Sequence, residues 1–272
     1  MNSKFQILCV TMNQSDFSKI KGMNIHSDVI FANQSNNFIY NEYSFENHLA
    51  KMVTTNTKGV GINRNIALSY ADADICLLAD DDIVYFDNLE NIVLKEFNDN
   101  PLADIIIFHL NSNSKERNLK KYKKTRRRKI FEPRPWGAVR IAFRLSSIKK
   151  ANLWFTTLFG GGCIFPSGED SMWIDAAFKS NLKVYVSDKS IGNVNMNEST
   201  WFTGYDNKYF YAKGAFYQAS YPHMYGIWML YFAIRTKRLT NLTFKERTKW
   251  LMNGKNGYKL MMSYEDYIKS LK

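Results

Sequence analysis

Short apolar segments that alternate with helical patterns restrict the fold of this 272-residue chain more than any other feature. Strands that are apolar along their whole length are buried on both faces, as in parallel sheets covered by helices. The candidate strands are residues 5–11, 28–32, 75–79, 104–110 and 182–186, and the candidate helices are residues 60–71, 87–97 and 167–180. The spacing of Asp87 and Glu90 predicts a capping box for the second of these helices. The alternation as a whole predicts an α/β fold.

The alternation ends near residue 190, and aromatic-rich helical patterns follow it. We therefore predict two domains, a sheet-containing domain over residues 1–190 and a helical extension over residues 191–272. In the extension, residues 224–234 are almost wholly apolar, and the basic residues of 235–238 follow them. Because eleven residues are too few to span a bilayer, this segment is either a buried helix or an anchor at a membrane surface.

The net charge of +12 is concentrated in residues 115–129, which contain ten Lys or Arg and one Glu. Such a segment is either a solvated loop, a mobile cover over a diphosphate, or a contact with anionic lipid. Nucleic-acid sites combine basic residues with several stacking aromatic residues, whereas Tyr122 is the only aromatic residue here. We therefore expect no nucleic-acid partner.

The chain shows no targeting pattern. Its first apolar stretch is too short for a signal peptide, and no run reaches the ~18 apolar residues of a spanning helix. Cys9, Cys76 and Cys163 are far apart and form no CxxC pair, which is typical of a reducing compartment. We expect a cytoplasmic protein, peripheral on the inner face of the cell membrane if residues 115–129 and 224–238 bind anionic lipid.

Three carboxylates, Asp80-Asp81-Asp82, directly follow the most apolar candidate strand. In open parallel sheets, ligands bind at the carboxyl ends of the strands. Adjacent carboxylates repel each other unless a cation or a donor-rich ligand compensates them, and Mg²⁺ and Mn²⁺ prefer oxygen ligands. Residues two apart on an extended chain, here Asp80 and Asp82, can face the same side. The triplet is therefore either a cation site or a solvated turn.

A second acidic pair stands at the start of the helix predicted over residues 167–180. Ser167 and Asp170 have the spacing of a capping box. The helix dipole also keeps a carboxylate in the first turn ionised, so Glu169 or Asp170 can act as a general base beside the glycines of residues 160–162. Capping and catalysis do not exclude each other.

Two glycines in the segment 58–65 precede the first predicted helix. The segment lacks the third glycine of a dinucleotide fingerprint, and it is not a P-loop. Ile62, Ile66 and Tyr70 predict an apolar inner face, which places Arg64 on the outer side of the helix. Arg64 is therefore either a surface residue or a contact to a phosphate or nucleotide.

Five motifs, in one order, resemble those of the family 2 glycosyltransferases with the GT-A fold. The motifs are Val10-Thr11-Met12-Asn13, Ala32-Asn33-Gln34-Ser35, Asn63-Arg64-Asn65, Asp80-Asp81-Asp82 (similar to the D-x-D motif) and Gly168-Glu169-Asp170 (similar to the E-D motif). The resemblance covers roughly residues 4–190. It implies a GT-A (Rossmann-like) fold with a mixed, mostly parallel sheet flanked by helices, to which the aromatic-rich helical extension is added.

The resemblance also implies how a nucleotide-sugar donor would bind. Thr11, Asn13 and Asn33 would hold the nucleobase and ribose. Arg64 would face the nucleotide from its helix. Asp80 and Asp81 would contact the donor as well.

A metal ion and a catalytic base follow from the same resemblance. Asp82 and Asp80 would ligate Mn²⁺ or Mg²⁺ on the diphosphate. Asp170 would take the proton from the acceptor hydroxyl while the configuration at the anomeric carbon is inverted. Glu169 is its neighbour in the motif.

Three positions depart from the family pattern. Met12 replaces an aromatic residue that packs on the base, and Asn33 stands where an aspartate is common. Residues 191–197 lack the histidine that often completes the metal shell, so the cation would keep an extra water, use Asn197 weakly or bind loosely. The predicted function is sugar transfer to a glycan or lipid-linked glycan in bacterial surface-polysaccharide synthesis. The alternative is a non-catalytic nucleotide- or glycan-binding protein on the same fold.

Overall fold

The computed structural model describes residues 3–112, 122–128, 137–194 and 204–271. The chain divides into two units, one made of Met1–Thr156 and Asp170–Glu198, the other of Thr157–Glu169 and Ser199–Lys272. The first unit contains the sheet, and the described elements of the second unit are helices. The segment Thr157–Glu169, which lies within residues 1–190, is part of the second unit.

The strands and the helices are numbered separately, each in chain order. The strands are β1 (Phe5–Met12), β2 (Asp28–Gln34), β3 (Ile39–Phe45), β4 (His48–Thr55), β5 (Ile75–Asp80), β6 (Ile83–Tyr85), β7 (Ile105–Ser112), β8 (Arg126–Arg127), β9 (Ile141–Arg144) and β10 (Val184–Val194). The helices are α1 (Lys19–Gly22), α2 (Val60–Ser69), α3 (Leu89–Asp99), α4 (Leu145–Lys150), α5 (Glu169–Lys179), α6 (Asn207–Ser220), α7 (Tyr225–Arg235), α8 (Phe244–Lys259) and α9 (Tyr264–Ser270). A short 3₁₀ turn, Ala138–Arg140, precedes β9.

The strands form one mixed sheet in the order β3-β4-β2-β1-β5-β9-β7-β10-β6, with β8 paired to β10. Strands β4, β2, β1 and β5 are parallel, as are β7 and β10, while β9 runs antiparallel between β5 and β7. The predicted α/β sheet flanked by helices is confirmed. The carboxyl ends of the parallel strands meet at one edge, where Val10 pairs with Asp80 and Thr11 pairs with Asn33.

Both faces of the sheet are covered, as the apolar strands predict. Along β1, Leu8 belongs to one buried cluster, whereas Ile7 belongs to the other. Trp173 of α5 packs in the first cluster, and Phe97 of α3 packs in the second. Because side chains alternate between the faces of a strand, a sheet buried on both sides requires continuous apolarity.

Local predictions differ from the structure in three places. Helix α3 has its N-cap at Asn88 without a side-chain capping bond, so the capping box at Asp87 is wrong. Asp87 instead accepts a hydrogen bond from Asn24 Nδ2 at 2.7 Å. Helix α5 begins at Glu169, two residues after the predicted start. Within the basic segment, β8 pairs with β10 and is not a loop, whereas residues 115–121 and 129 lie outside the described residues.

The helices of the second unit approach each other closely at glycines. A Cβ atom on Gly254 of α8 would overlap the carbonyl oxygen of Tyr211 on α6. Aromatic side chains fill the remaining space, and the rings of Phe210 and Phe232 pack edge to face at 5.9 Å. The predicted aromatic-rich helical extension is confirmed. In the described ranges, no helix has both the length and the apolar character needed to cross a membrane.

Candidate active site

The aspartate triplet lies at the carboxyl end of β5, at the sheet edge where ligands bind in open α/β folds. Asp80 is the last residue of the strand, and Asp81 and Asp82 form the turn that leads into β6. The hydroxyl of Thr11, at the end of the neighbouring strand β1, donates a hydrogen bond to Asp81 Oδ2 at 2.5 Å. Thr11 therefore orients one carboxylate of the triplet.

Arg64 lies inside the first unit, so its predicted place on the outer side of α2 is wrong. Its side chain is 5 % exposed, with its guanidinium 3.2 Å from Asp80 Oδ1 and 5.5 Å from the centre of the Phe155 ring. The expected inner-face residue Tyr70 is exposed instead. Pairing with a carboxylate offsets the cost of burying the guanidinium, and this interaction overrides the apolar pattern of the helix.

Asn63, the residue before Arg64, connects α2 to the ends of two strands. Its Nδ2 donates to the carbonyl oxygens of Thr11 and Ala32, at 3.2 and 2.8 Å. These carbonyl groups lie at the carboxyl ends of β1 and β2. The first turns of α2 therefore fix both the strand ends and the orientation of Asp80.

Asn33 is buried, and its amide is engaged within the protein. Its Oδ1 accepts from the backbone N–H of Gln14 at 3.0 Å, and its Nδ2 donates to the carbonyl of Gln14 at 2.9 Å and to Thr54 Oγ1 at 3.0 Å. Asn33 thus holds the loop that follows β1. Asn13 in that loop is exposed and has a φ of 54°.

Lys19 of α1 is a charged residue of the site that sequence reasoning missed. Its ammonium lies 3.1 Å from Asp81 Oδ2 and also donates to the carbonyl oxygen of Asp81 at 3.3 Å. Lys19 and Asp81 are 62 residues apart in the chain, and no local pattern connects them. The sequence carried no signal for this pair.

Asp82 has the least compensated charge of the triplet, because Arg64 pairs with Asp80 and Lys19 with Asp81. Asp82 is exposed overall, but desolvation by the surrounding protein, together with the charges of Asp80 and Asp81, raises the pKa of its carboxyl. Within the described residues, no side chain donates a hydrogen bond to it. No group of three or more His, Cys, Asp or Glu in these ranges could hold a metal ion. Two carboxylates still fit Mg²⁺ or Mn²⁺, which often take only one or two carboxylates together with substrate phosphates.

The two acidic residues at the start of α5 differ in their surroundings. Glu169 is buried, and its Oε2 accepts from the backbone N–H of Gly168 at 3.1 Å. Gly168 has a φ of 124°, and a Cβ atom there would lie 2.7 Å from the Phe216 ring, so glycine is required. Asp170 is partly exposed and is the one of the pair that a ligand can reach.

Residues 137–140 of the first unit lie between Asp170 and the triplet. A Cβ atom on Gly137 would lie 4.0 Å from Asp170 Oδ2. The following turn, Ala138–Arg140, packs beside β5, and β9 continues antiparallel to that strand. Because β9 runs antiparallel to β5, the turn before β9 lies at the carboxyl end of β5, where the triplet stands. The geometry therefore brings Asp170 to the same end of the sheet as Asp80.

Arg140 places a buried positive charge near Asp170. Burial lowers the pKa of Arg140 to about 10, while the charges of Tyr122 and Asp170 act in the opposite direction. The guanidinium therefore remains protonated at neutral pH. Arg140 lies in a region of the sequence without a recognisable motif, so no pattern pointed to it.

Strand β10 leads the chain toward Asp82. It pairs antiparallel with β6, and Val194 lies opposite Ile83, the residue after Asp82. Asn197, the predicted weak metal ligand, lies in residues 195–203, outside the part of the chain that the structure describes.

Comparisons with known proteins bear on the fold of the chain. Residues 37–159 match the model of glycosyl transferase family 2. The chain is similar to the crystal structure of S. aureus TarS 1–349 in complex with UDP-GlcNAc, with a TM-score of 0.56 and 16 % identity over 97 % of this chain and 77 % of that chain. For TarS 1–349 in complex with UDP, the TM-score is 0.58 and the identity 14 %, over 96 % of this chain and 93 % of that chain. A search of curated protein sequences gives no match.

The fold is therefore the GT-A type that the sequence motifs imply. The matched family segment contains α2, which carries Arg64, and the end of β5 with the following turn, which carry the aspartate triplet. Together, these findings show similarity to glycosyl transferase family 2 over residues 37–159 and a GT-A-like fold for the chain.

Proposed function

We propose that this chain is a metal-dependent, inverting glycosyltransferase. It would transfer a sugar from a nucleoside-diphosphate sugar to a hydroxyl of a glycan or lipid-linked glycan, in the synthesis of a cell-surface polysaccharide. The observation that carries the proposal is the shared position of the triplet and Asp170 at the carboxyl end of β5. The cytoplasmic location expected from the sequence stays a prediction.

The donor would bind across the ends of β1, β2 and β5. Asn13 is exposed beside this edge, and Asn33 holds the Gln14 backbone, so Asn33 would shape the nucleoside site through the loop. The hydrogen bond from Thr11 would hold the Asp81 carboxylate toward the donor. The ion pair with Arg64 would hold the Asp80 carboxylate in the same way. The complexes of S. aureus TarS with UDP-GlcNAc and UDP support a diphosphate nucleotide as the ligand class.

A divalent cation would be held by Asp82 and Asp80, together with oxygens of the donor diphosphate. When bound, it supplies positive charge that stabilises the departing nucleoside diphosphate. The raised pKa of Asp82 supports this assignment, since crowded carboxylates gain from a cation between them.

Asp170 would act as the general base. As the acceptor oxygen forms its bond to the anomeric carbon, the bond from that carbon to the diphosphate oxygen breaks, and the acceptor proton passes to the Asp170 carboxylate. Direct displacement inverts the configuration at that carbon. Arg140 supplies a buried positive charge near Asp170.

A panel of nucleotide sugars, with and without Mn²⁺, tests the proposal. Bound donor raises the melting temperature by mass action, and slow donor hydrolysis without acceptor reports turnover. Asp170→Asn should keep donor binding and lower transfer by about 10²–10⁴-fold, because a general base contributes that much. Unchanged transfer in this variant would reject the base assignment. Donor binding with neither hydrolysis nor transfer would instead support the alternative, a binding protein on this fold.

A further inference from the structure

The outward face of helix α7 in the second unit is apolar. Four of its side chains are large, hydrophobic and about half exposed or more: Ile227 (65 %), Leu230 (48 %), Tyr231 (47 %) and Ile234 (54 %). Their spacing of three, four and seven residues places them in one row along the helix. We call these four side chains the α7 row.

The α7 row is not the face by which the helix packs in its own unit. Ala233 is buried, and the buried hydroxyl of Tyr225 donates to the carbonyl oxygen of Leu251 on α8 at 2.6 Å. The helix is thus apolar on both its inner and its outer side. Contiguous exposed apolar surface of this kind marks an interaction site.

Basic residues border the row at the end of the helix. Arg235 donates a hydrogen bond to the hydroxyl of Tyr231 at 2.6 Å, and its guanidinium lies 5.8 Å from the ring centre. Lys237 and Arg238 follow and are exposed. From residue 235 to 249 the chain carries six Lys or Arg and one Glu. Exposed Leu239 and Phe244 lie between these charges.

We propose that the second unit docks on an anionic lipid surface through the α7 row and its basic border. A lipid surface offers an apolar layer for Ile227 and Ile234 and negative headgroups for Lys237 and Arg238. A second copy of the chain fits less well, because it would bring two positively charged borders together. Helix α7 has 11 residues, so it would lie in the interface and not cross it.

Sedimentation with lipid vesicles tests this proposal on the full chain. The protein should bind vesicles of phosphatidylcholine mixed with phosphatidylglycerol more strongly than vesicles of phosphatidylcholine alone, and high salt should weaken the binding. The double substitution Ile227→Gln and Ile234→Gln should weaken binding by at least about tenfold, because both side chains lose apolar contact with lipid. Lys237→Gln with Arg238→Gln should remove the preference for anionic vesicles.

Leu102→Gln is the matched control, because Leu102 is equally exposed (62 %) but belongs to the first unit. It should leave vesicle binding unchanged. Equal vesicle binding by the parent protein and the Ile227/Ile234 double variant would overturn the proposal. A parent dimer that this variant dissociates, without any vesicle binding, would overturn it in favour of contact between copies.

The experiment is independent of the proposed enzymatic function. Vesicle binding requires neither donor nor acceptor, whereas the thermal-shift panel requires no lipid. If the vesicle experiment gives a negative result, the thermal-shift panel can still be interpreted, and the reverse is also true.

Discussion

At the scale of single residues, the ion pair between buried Arg64 and partly exposed Asp80 orients one carboxylate of the candidate site. Replacing Arg64 with Met should lower the free energy of unfolding by about 2 kcal/mol, since Asp80 loses its partner. The effect is smaller than for a fully buried pair, because the Asp80 side chain is 34 % exposed. Urea denaturation of Arg64→Met, Asp80→Asn and the double variant measures it.

The double variant is the control for this prediction. If the two residues stabilise each other, the double variant loses less stability than the sum of the single variants, by about 1 kcal/mol. Strictly additive effects would show that Arg64 contributes through packing on Phe155 and not through Asp80.

Asp82 should make stability depend on pH in a defined direction. Its folded pKa is raised above the ordinary value of 3.8, so its contribution to stability is complete below that value and is lost as the pH rises through the folded pKa. Without divalent cations, Asp82→Asn should therefore be at least as stable as the parent protein at neutral pH. Below the ordinary pKa, where the parent carboxyl is protonated, this difference should disappear.

Melting curves across the acidic to neutral range, with and without Mn²⁺, check this prediction. Mn²⁺ should stabilise the parent protein more than the variant. An Asp82→Asn variant that is less stable than the parent at neutral pH without metal would contradict the assigned charge crowding.

The sequence predicted which residues form the motifs, but it did not predict which residues contact each other. The triplet was located because a strand pattern ends directly before it. Lys19 was missed because its pairing with Asp81 depends on the fold alone. The burial of Arg64 depends on Asp80, which lies 16 residues further along the chain, and no helical periodicity contains that information.

At the scale of elements, close packing of α2 against the segment that ends at Thr156 holds the site together. A Cβ atom on Gly61 would overlap the carbonyl oxygen of Thr156. Gly61→Ala should therefore cost about 1–3 kcal/mol of stability, because the helix must move away. It should also weaken donor binding, since Asn63 and Arg64 lie on the same helix.

Gly22→Ala is the matched control, because a Cβ atom at Gly22 meets no other atom within 4 Å. Its free energy of unfolding should be unchanged or higher. Chemical denaturation separates the two variants, and equal stabilities would contradict the close approach of α2 to Thr156.

The elements predicted from sequence are those with a strong burial pattern. Strands β1, β2, β5 and β7 were found because they are apolar on both faces. Strand β3 was missed because its residues from Ile39 to Ser44 are all exposed, so it shows no buried face. The four-residue strand β9 was missed because its place between β5 and β7 is set by long-range pairing.

At the scale of the whole molecule, the order of the motifs predicted the class of fold better than any single motif did. Parallel strands bring their carboxyl ends to one edge, so motifs that are distant in sequence converge there. The division into units was less predictable. Thr157–Glu169 leaves the sheet-containing unit between Thr156 and Asp170, although it lies within the domain predicted over residues 1–190.

We propose above all that Asp82 binds a divalent cation that would hold a nucleoside diphosphate. Isothermal titration calorimetry tests it most directly, using the nucleoside diphosphate that the thermal-shift panel identifies. In the presence of Mn²⁺, Asp82→Asn should bind this ligand at least about tenfold more weakly than the parent protein, the equivalent of one lost charge-assisted contact. Asp87→Asn, an exposed aspartate five residues away, should bind like the parent protein. Equal Mn²⁺-dependent affinity in the parent protein and in Asp82→Asn would contradict the account.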